Sequence, residues 1–179
     1  MTPKADFSYE HEQFATCSFV NVNPQFQKFN SANWGELEND VRDYSRMLKK
    51  DLKITTGSAE ILQLPGRDNK LHSIYIAEEN GVEKVPVPLY YWKVLEVDSN
   101  TKLAFIGLNF PSKNSKDFKN FAKTTAFRLC PVDRCSESPF SAILSDKLLQ
   151  NRRSIDDGFI GCCSYEEFKE ASGISYADF

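Results

Sequence analysis

From Ala32 to Lys50 the apolar residues Trp34, Leu37, Val41, Tyr44 and Leu48 recur at steps of three and four, the period of one face of an α-helix. The chain therefore needs a long amphipathic helix and a surface for that helix to cover. Asn30 and Ser31 supply capping types at its start, and Lys49 and Lys50 put positive charge where the carbonyl end favours it. Just upstream, Cys17 to Asn23 alternate, with Phe19, Asn21 and Asn23 on one side and Ser18, Val20 and Val22 on the other. That predicts a strand with one unusually polar side, closed by Pro24.

The surface is supplied further on. Leu52 to Thr56, Leu71 to Ala77, Tyr90 to Val97 and Leu103 to Phe110 read as strands, separated by turn-rich segments such as Pro65 to Asn69 and Asp98 to Asn100. Pro111 to Asn120 is polar and lysine-rich and reads as a surface loop, followed by a short helix around Ala142 to Gln150. Ser164, with Glu166 and Glu167 after it, opens a last helix over Tyr165 to Ala171. Strands, a long helix and hairpin turns in mixed order give an α+β class with an antiparallel sheet. With 179 residues, 41% of them hydrophobic, one domain spanning 1–179 is expected.

A net charge of −3 argues against a surface coated in positive charge, so any phosphate contact must be local. No stretch approaches 18 consecutive apolar residues, and the first twenty residues carry charges where a leader would need an apolar centre. As written, the chain is expected neither to span a membrane nor to enter the secretory route. Four of the five cysteines, Cys130, Cys135, Cys162 and Cys163, nevertheless cluster near the C-terminus, far from Cys17, which suits an oxidised, secreted domain. A zinc site is the rival, but adjacent Cys162 and Cys163 chelate one tetrahedral ion poorly, so disulfides are expected. The odd cysteine is either a free thiol or has its partner outside this sequence.

Chemistry concentrates between Asn21 and Arg42: Asn21-Val22-Asn23-Pro24-Gln25, then Phe29-Asn30, then Trp34, Glu38 and Arg42. This run resembles the signature of the DNA/RNA non-specific endonucleases, in which N-x-x-P-Q, a later Asn, a Trp and a Glu recur at this spacing. Thr55-Thr56-Gly57, Tyr91-Trp92-Lys93 and Ala104 to Asn109 look like the arthropod secreted branch, as does Gly161-Cys162-Cys163 more weakly. The resemblance implies a ββα-metal fold and a hydrolase that cuts DNA and RNA. It implies Mg²⁺, with Mn²⁺ as the alternative ion, Asn30 being the one direct protein ligand. An amide oxygen plus several waters is a credible octahedral site. It further implies that Asn21 and Gln25 position the site, Glu38 holds metal-bound water and Arg42 neutralises phosphate. Lys93, Arg152 and Arg153 are further candidates for phosphate contacts. No membrane partner is implied, and the state stays open between monomer and homodimer.

Taken singly, each residue has a plainer use. Asn30 could cap the helix, Asn21 could satisfy a strand end, Trp34 could be core, and Glu38 with Arg42 could be an exposed helix pair worth ~0.3 to 0.5 kcal/mol. The set, at this spacing, points to chemistry. The family also uses a histidine general base in a D-R-G-H motif, followed by a run that Thr2-Pro3-Lys4-Ala5-Asp6-Phe7 resembles. The histidine would stand immediately before Met1; His11 and His72 match no such motif. The expected reading is a piece of a secreted endonuclease, slow on its own. A non-catalytic nucleic-acid binder is the alternative, and an unrelated extracellular interaction domain a third reading.

Overall fold

The structure, a computed structural model, describes residues 3–18, 21–111, 115–154 and 156–175. A 3-10 turn at Lys4–Asp6 precedes helices α1 (Glu10–Ala15), α2 (Gln27–Ser31) and α3 (Asn33–Leu48). Strands β1 (Lys53–Ile61), β2 (Gln63–Pro65), β3 (Leu71–Ser73), β4 (Tyr75–Glu79), β5 (Val82–Pro86), β6 (Pro88–Glu96) and β7 (Lys102–Leu108) follow. The remainder holds α4 (Ser115–Leu129), α5 (Phe140–Ile143), α6 (Asp146–Asn151), β8 (Phe159–Ser164) and α7 (Tyr165–Ser172). The class is α+β: β1, β6, β7 and β8 form one antiparallel sheet in that order, while β2–β3 and β4–β5 are separate hairpins.

Side chains alternate across a strand, and here both faces are covered. Tyr90, Trp92 and Val94 of β6, with Ala104, Ile106 and Leu108 of β7, pack against Ala126, Leu129 and Phe168 from α4 and α7. Tyr91, Leu95, Leu103 and Phe105 pack the other way, against Trp34, Leu37 and Val41 of α3 and Phe140 and Leu148 of α5 and α6. Each such aliphatic or aromatic burial stabilises by about 1.5–3 kcal/mol. Gly107 allows the close approach of α2 and α3: a Cβ there would meet the rings of Phe29 and Trp34 at 2.6 Å. Among the described residues no helix is long and apolar enough to cross a membrane.

Four expected elements differ. The strand expected over Leu71 to Ala77 is divided at Ile74 into β3 and β4, which pair in separate hairpins, and the helix expected over Ala142 to Gln150 is divided into α5 and α6. Asn21 lies in a short 3-10 segment and residues 22–26 carry no regular structure, so the strand expected over Cys17 to Asn23 is not found among the described residues; Phe19 and Val20 lie outside them. The polar side chains bond locally instead: Asn21 Nδ2 donates to the Thr16 carbonyl (2.8 Å) and Asn23 Nδ2 to Ser58 Oγ on β1 (2.6 Å). Asparagine competes with ladders in this way. The loop expected over Pro111 to Asn120 gives way at Ser115 to α4, which buries Thr125, Ala126 and Leu129. Residues 112–114 lie outside the described ones. Asn30 and Ser31 do not cap the long helix, because α2 contains them and Ala32 is the N-cap of α3.

The cysteines form disulfides, not a zinc site: Cys130 pairs with Cys163 and Cys135 with Cys162, leaving Cys17 as an exposed free thiol. Adjacent on β8, Cys162 and Cys163 point to opposite faces, so each layer receives one covalent staple. Ser164 caps α7, with Glu167 completing a capping box. Arg134 donates to Glu167 at 2.6 to 3.2 Å, and this guanidinium, helped by Ser164, holds Glu167 at about 2 against an ordinary 4.5. Because Glu167 binds its proton less readily folded than unfolded, the pairing stabilises fully above pH 4.5 and is lost as pH falls toward 2. Thermal midpoints of the wild type and Glu167→Gln are expected to converge over that window; a constant gap down to pH 2 contradicts the assignment.

Candidate active site

The N-terminal turn, α3 and the sheet enclose a cleft of about 450 Å³. Pro3, Ala5, Asp6, Phe7 and Ser8 form one wall, Glu38, Val41 and Arg42 of α3 another, and Lys93 of β6 also lines it. The four-residue spacing puts Glu38 and Arg42 on one side of α3. They are not paired: Arg42 Nε donates to Asp6 Oδ1 (2.7 Å) and Nη1 to Asn39 Oδ1 (2.7 Å). The Asp6 contact pins the turn against α3 and so builds the cleft wall. Glu38 makes no ion pair or hydrogen bond among the described residues, and burial pushes its carboxyl above the ordinary value, with Lys93 pulling the other way.

Asn21, Gln25 and Asn30 lie on the segment leading into α3, outside the lining of this cleft. The segment is anchored by a residue whose job sequence reasoning missed. Asn109, fully buried at the end of β7, accepts from Phe26 N (2.9 Å) and donates to the carbonyls of Pro24 (3.0 Å) and Pro88 (2.9 Å). The Tyr91 hydroxyl also donates to Pro24 O (2.9 Å). The signal available was an Asn at the end of an apolar strand, where a buried amide must find partners. Gln25 Nε2 is buried with no hydrogen-bond partner among the described residues. Asn30 is exposed in the last turn of α2, and its side-chain amide has no partner among the described residues. Its carbonyl abuts Gly35, where a Cβ would come to 2.9 Å, which ties α2 to the first turn of α3.

Trp34 is core, 1% exposed, packed with Phe29 and Tyr91. Arg152 and Arg153 are not free for phosphate: both bind Asp133, and Arg152 is buried and also donates to Ile160 O. Asp133 lies beside Cys135 and Cys162, but this trio cannot hold a cation. Its two sulfurs are joined in a disulfide and its carboxylate is taken by two guanidiniums. Neither histidine lines the cleft. His72 meets Asp68 at 2.9 Å and His11 stacks on Tyr9.

Sequence comparison places the chain in a known family. A curated relative, the salivary endonuclease of Lutzomyia longipalpis, is 30% identical over 175 residues, which is 97% of this chain and 38% of the relative. The chain thus spans less than half the length of the curated relative it matches. The DNA/RNA non-specific endonuclease profile matches residues 1–133, covering the turn, the Asn21 to Arg42 run, the cleft and the Asn109 anchor. The chain belongs to the DNA/RNA non-specific endonuclease family.

Proposed function

We propose that the chain carries the metal-binding and phosphate-binding part of an endonuclease that hydrolyses DNA and RNA phosphodiesters without reading the base or the sugar. The observation that carries the reading is the cleft, where Glu38, Arg42 and Lys93 meet the Pro3 to Ser8 wall. That wall includes the run which, by resemblance, follows the family's histidine.

The residues present suit a hard divalent cation. Asn30 offers an exposed amide oxygen without an internal partner, and Mg²⁺ or Mn²⁺ accepts one such ligand while keeping most of its water. When bound, the ion supplies Lewis-acid polarisation of the phosphate and stabilises the leaving oxygen. The chain's own groups do the rest. Arg42, whose Nε and Nη1 are held by Asp6 and Asn39, keeps Nη2 for phosphate charge, Gln25 Nε2 is a donor for an acceptor, Asn21 fixes the loop, and Glu38 accepts hydrogen bonds from water in the cleft. Contacts to backbone phosphate dominate such binding, so affinity falls with salt and sequence matters little. The whole chain acts as one domain, and its two disulfides with the salivary relative support an extracellular setting.

A second reading has an observation of its own. Because neither His11 nor His72 lines the cleft, these residues by themselves suit a binder of metal and nucleic acid that turns over slowly. Titration of Mn²⁺ into wild type and Asn30→Ala by calorimetry tests the metal assignment common to both. Even outer partners of metal sites cost 10- to 100-fold in affinity, so loss of a direct ligand is expected to weaken binding by at least about tenfold. Equal affinities would remove Asn30 from the site.

A further inference from the structure

Lys93 is the only charged residue in the buried run of β6, 3% exposed, on the strand side that faces α3. An ammonium in such a place needs a compensating charge, yet no carboxylate lies within ion-pairing distance of its Nζ among the described residues. It sits 5.7 Å from the centroid of the Trp34 ring and lines the cleft with Glu38. The charged groups that face it are Glu38 and Arg42 from α3 and Asp6 from the N-terminal turn, and Asp6 is already bound to Arg42. Glu38 is the unpaired one. A cation this buried is poorly placed to reach a polymer's phosphate, whereas a carboxylate on the neighbouring helix is within its field.

We propose that Lys93 is a positioning residue that supplies the buried positive charge for Glu38, holding that carboxylate ionised toward the cleft rather than contacting phosphate itself. The proposal rests on the nuclease reading only for the task given to Glu38. Burial pushes the Lys93 ammonium down and the Glu38 carboxyl up, and each opposes the other's shift. Removing either charge should therefore move the other's titration.

The test is NMR titration of the Glu38 carboxyl carbon and the Lys93 ammonium in the 179-residue protein, which needs no turnover. In Lys93→Met, whose side chain suits the buried site, the Glu38 midpoint is expected to rise by on the order of one pH unit. In Lys93→Arg it is expected to stay near the wild-type value, and in Glu38→Gln the Lys93 midpoint is expected to fall. A folded Lys93→Met with an unmoved Glu38 midpoint overturns the proposal, and so does a Glu38→Gln protein with an unmoved Lys93. Weaker inorganic phosphate binding by Lys93→Met with no Glu38 shift would make Lys93 a phosphate contact instead. If the chain extended upstream by Arg-Gly-His leaves nucleic acid intact while the midpoints move together, the pairing stands and the nuclease reading fails.

Discussion

A chain carrying Arg-Gly-His directly upstream of residue 1 is expected to hydrolyse nucleic acid roughly 10²- to 10⁴-fold faster than the 179 residues alone, the usual contribution of a positioned general base. The expectation comes from where the first described residues lie. Asp6 is bound to Arg42 at 2.7 Å, and Pro3, Ala5, Asp6 and Phe7 share the cleft with Glu38 and Lys93. A histidine a few residues before Pro3 would thus be delivered to the same cleft by a wall already fixed to α3. The native histidines cannot substitute, because His11 is exposed on α1 and His72 is engaged with Asp68 on the β2–β3 hairpin. The control is the same extension ending in glutamine, compared on a fluorescent single-stranded oligonucleotide in Mg²⁺. Equal rates for the two extensions, or fast cleavage by the 179 residues alone, contradict the account.

Replacing all four bridged cysteines by alanine is expected to cost on the order of 3–5 kcal/mol, read as a lower urea midpoint with little change in the native spectrum. The bridges close segments of 33 and 27 residues, and a single closure of that size constrains the unfolded chain by about 3.5 kcal/mol. The two are nested, however. Once Cys130 is joined to Cys163, the inner pair closes only the few residues between Cys130 and Cys135 and the single step from Cys162 to Cys163. Removing Cys135–Cys162 alone should therefore cost much less than removing both. Against a typical total of 5 to 15 kcal/mol, the loss of both leaves a marginal fold. A fourfold variant as stable as wild type would show that packing, not cross-linking, holds β8.

How far the sequence discloses this molecule depends on whether the signal is local. The α3 helix is legible because Trp34, Leu37 and Val41 repeat with the helical period and are buried. β6 and β7 are legible as apolar runs, and α7 by its Ser164 and Glu167 capping pair. β8 is not, because a strand covered on both faces shows no polar alternation, and its adjacent cysteines serve opposite layers. The start of α4 hides because Pro111 to Asn120 is polar and lysine-rich and carries no apolar repeat of helical period.

The candidate site divides in the same way. The residue types at Asn21, Gln25, Asn30, Glu38 and Arg42 are visible as a motif, but their partners are not. Arg42 reaches across 36 positions to Asp6, and Asn109 across more than eighty to Pro24 and Phe26. Lys93 reads as a candidate phosphate contact until the sheet buries it beside Trp34. Long-range pairing, absent from any local pattern, decides which polar residues are occupied and which stay available.

With Asn30 as the metal ligand and the cleft as the phosphate site, the extended chain is expected to be a metal-dependent phosphodiesterase indifferent to sugar. The direct measurement is cleavage of supercoiled plasmid DNA and of a single-stranded RNA by the Arg-Gly-His-extended chain, in Mg²⁺ and in EDTA, with Asn30→Ala in parallel. Both polymers are expected to be cut in Mg²⁺ and neither in EDTA, and Asn30→Ala is expected to lose most of the rate. A folded extended chain that leaves both polymers intact in Mg²⁺, or that cuts them equally well in EDTA, would contradict that expectation.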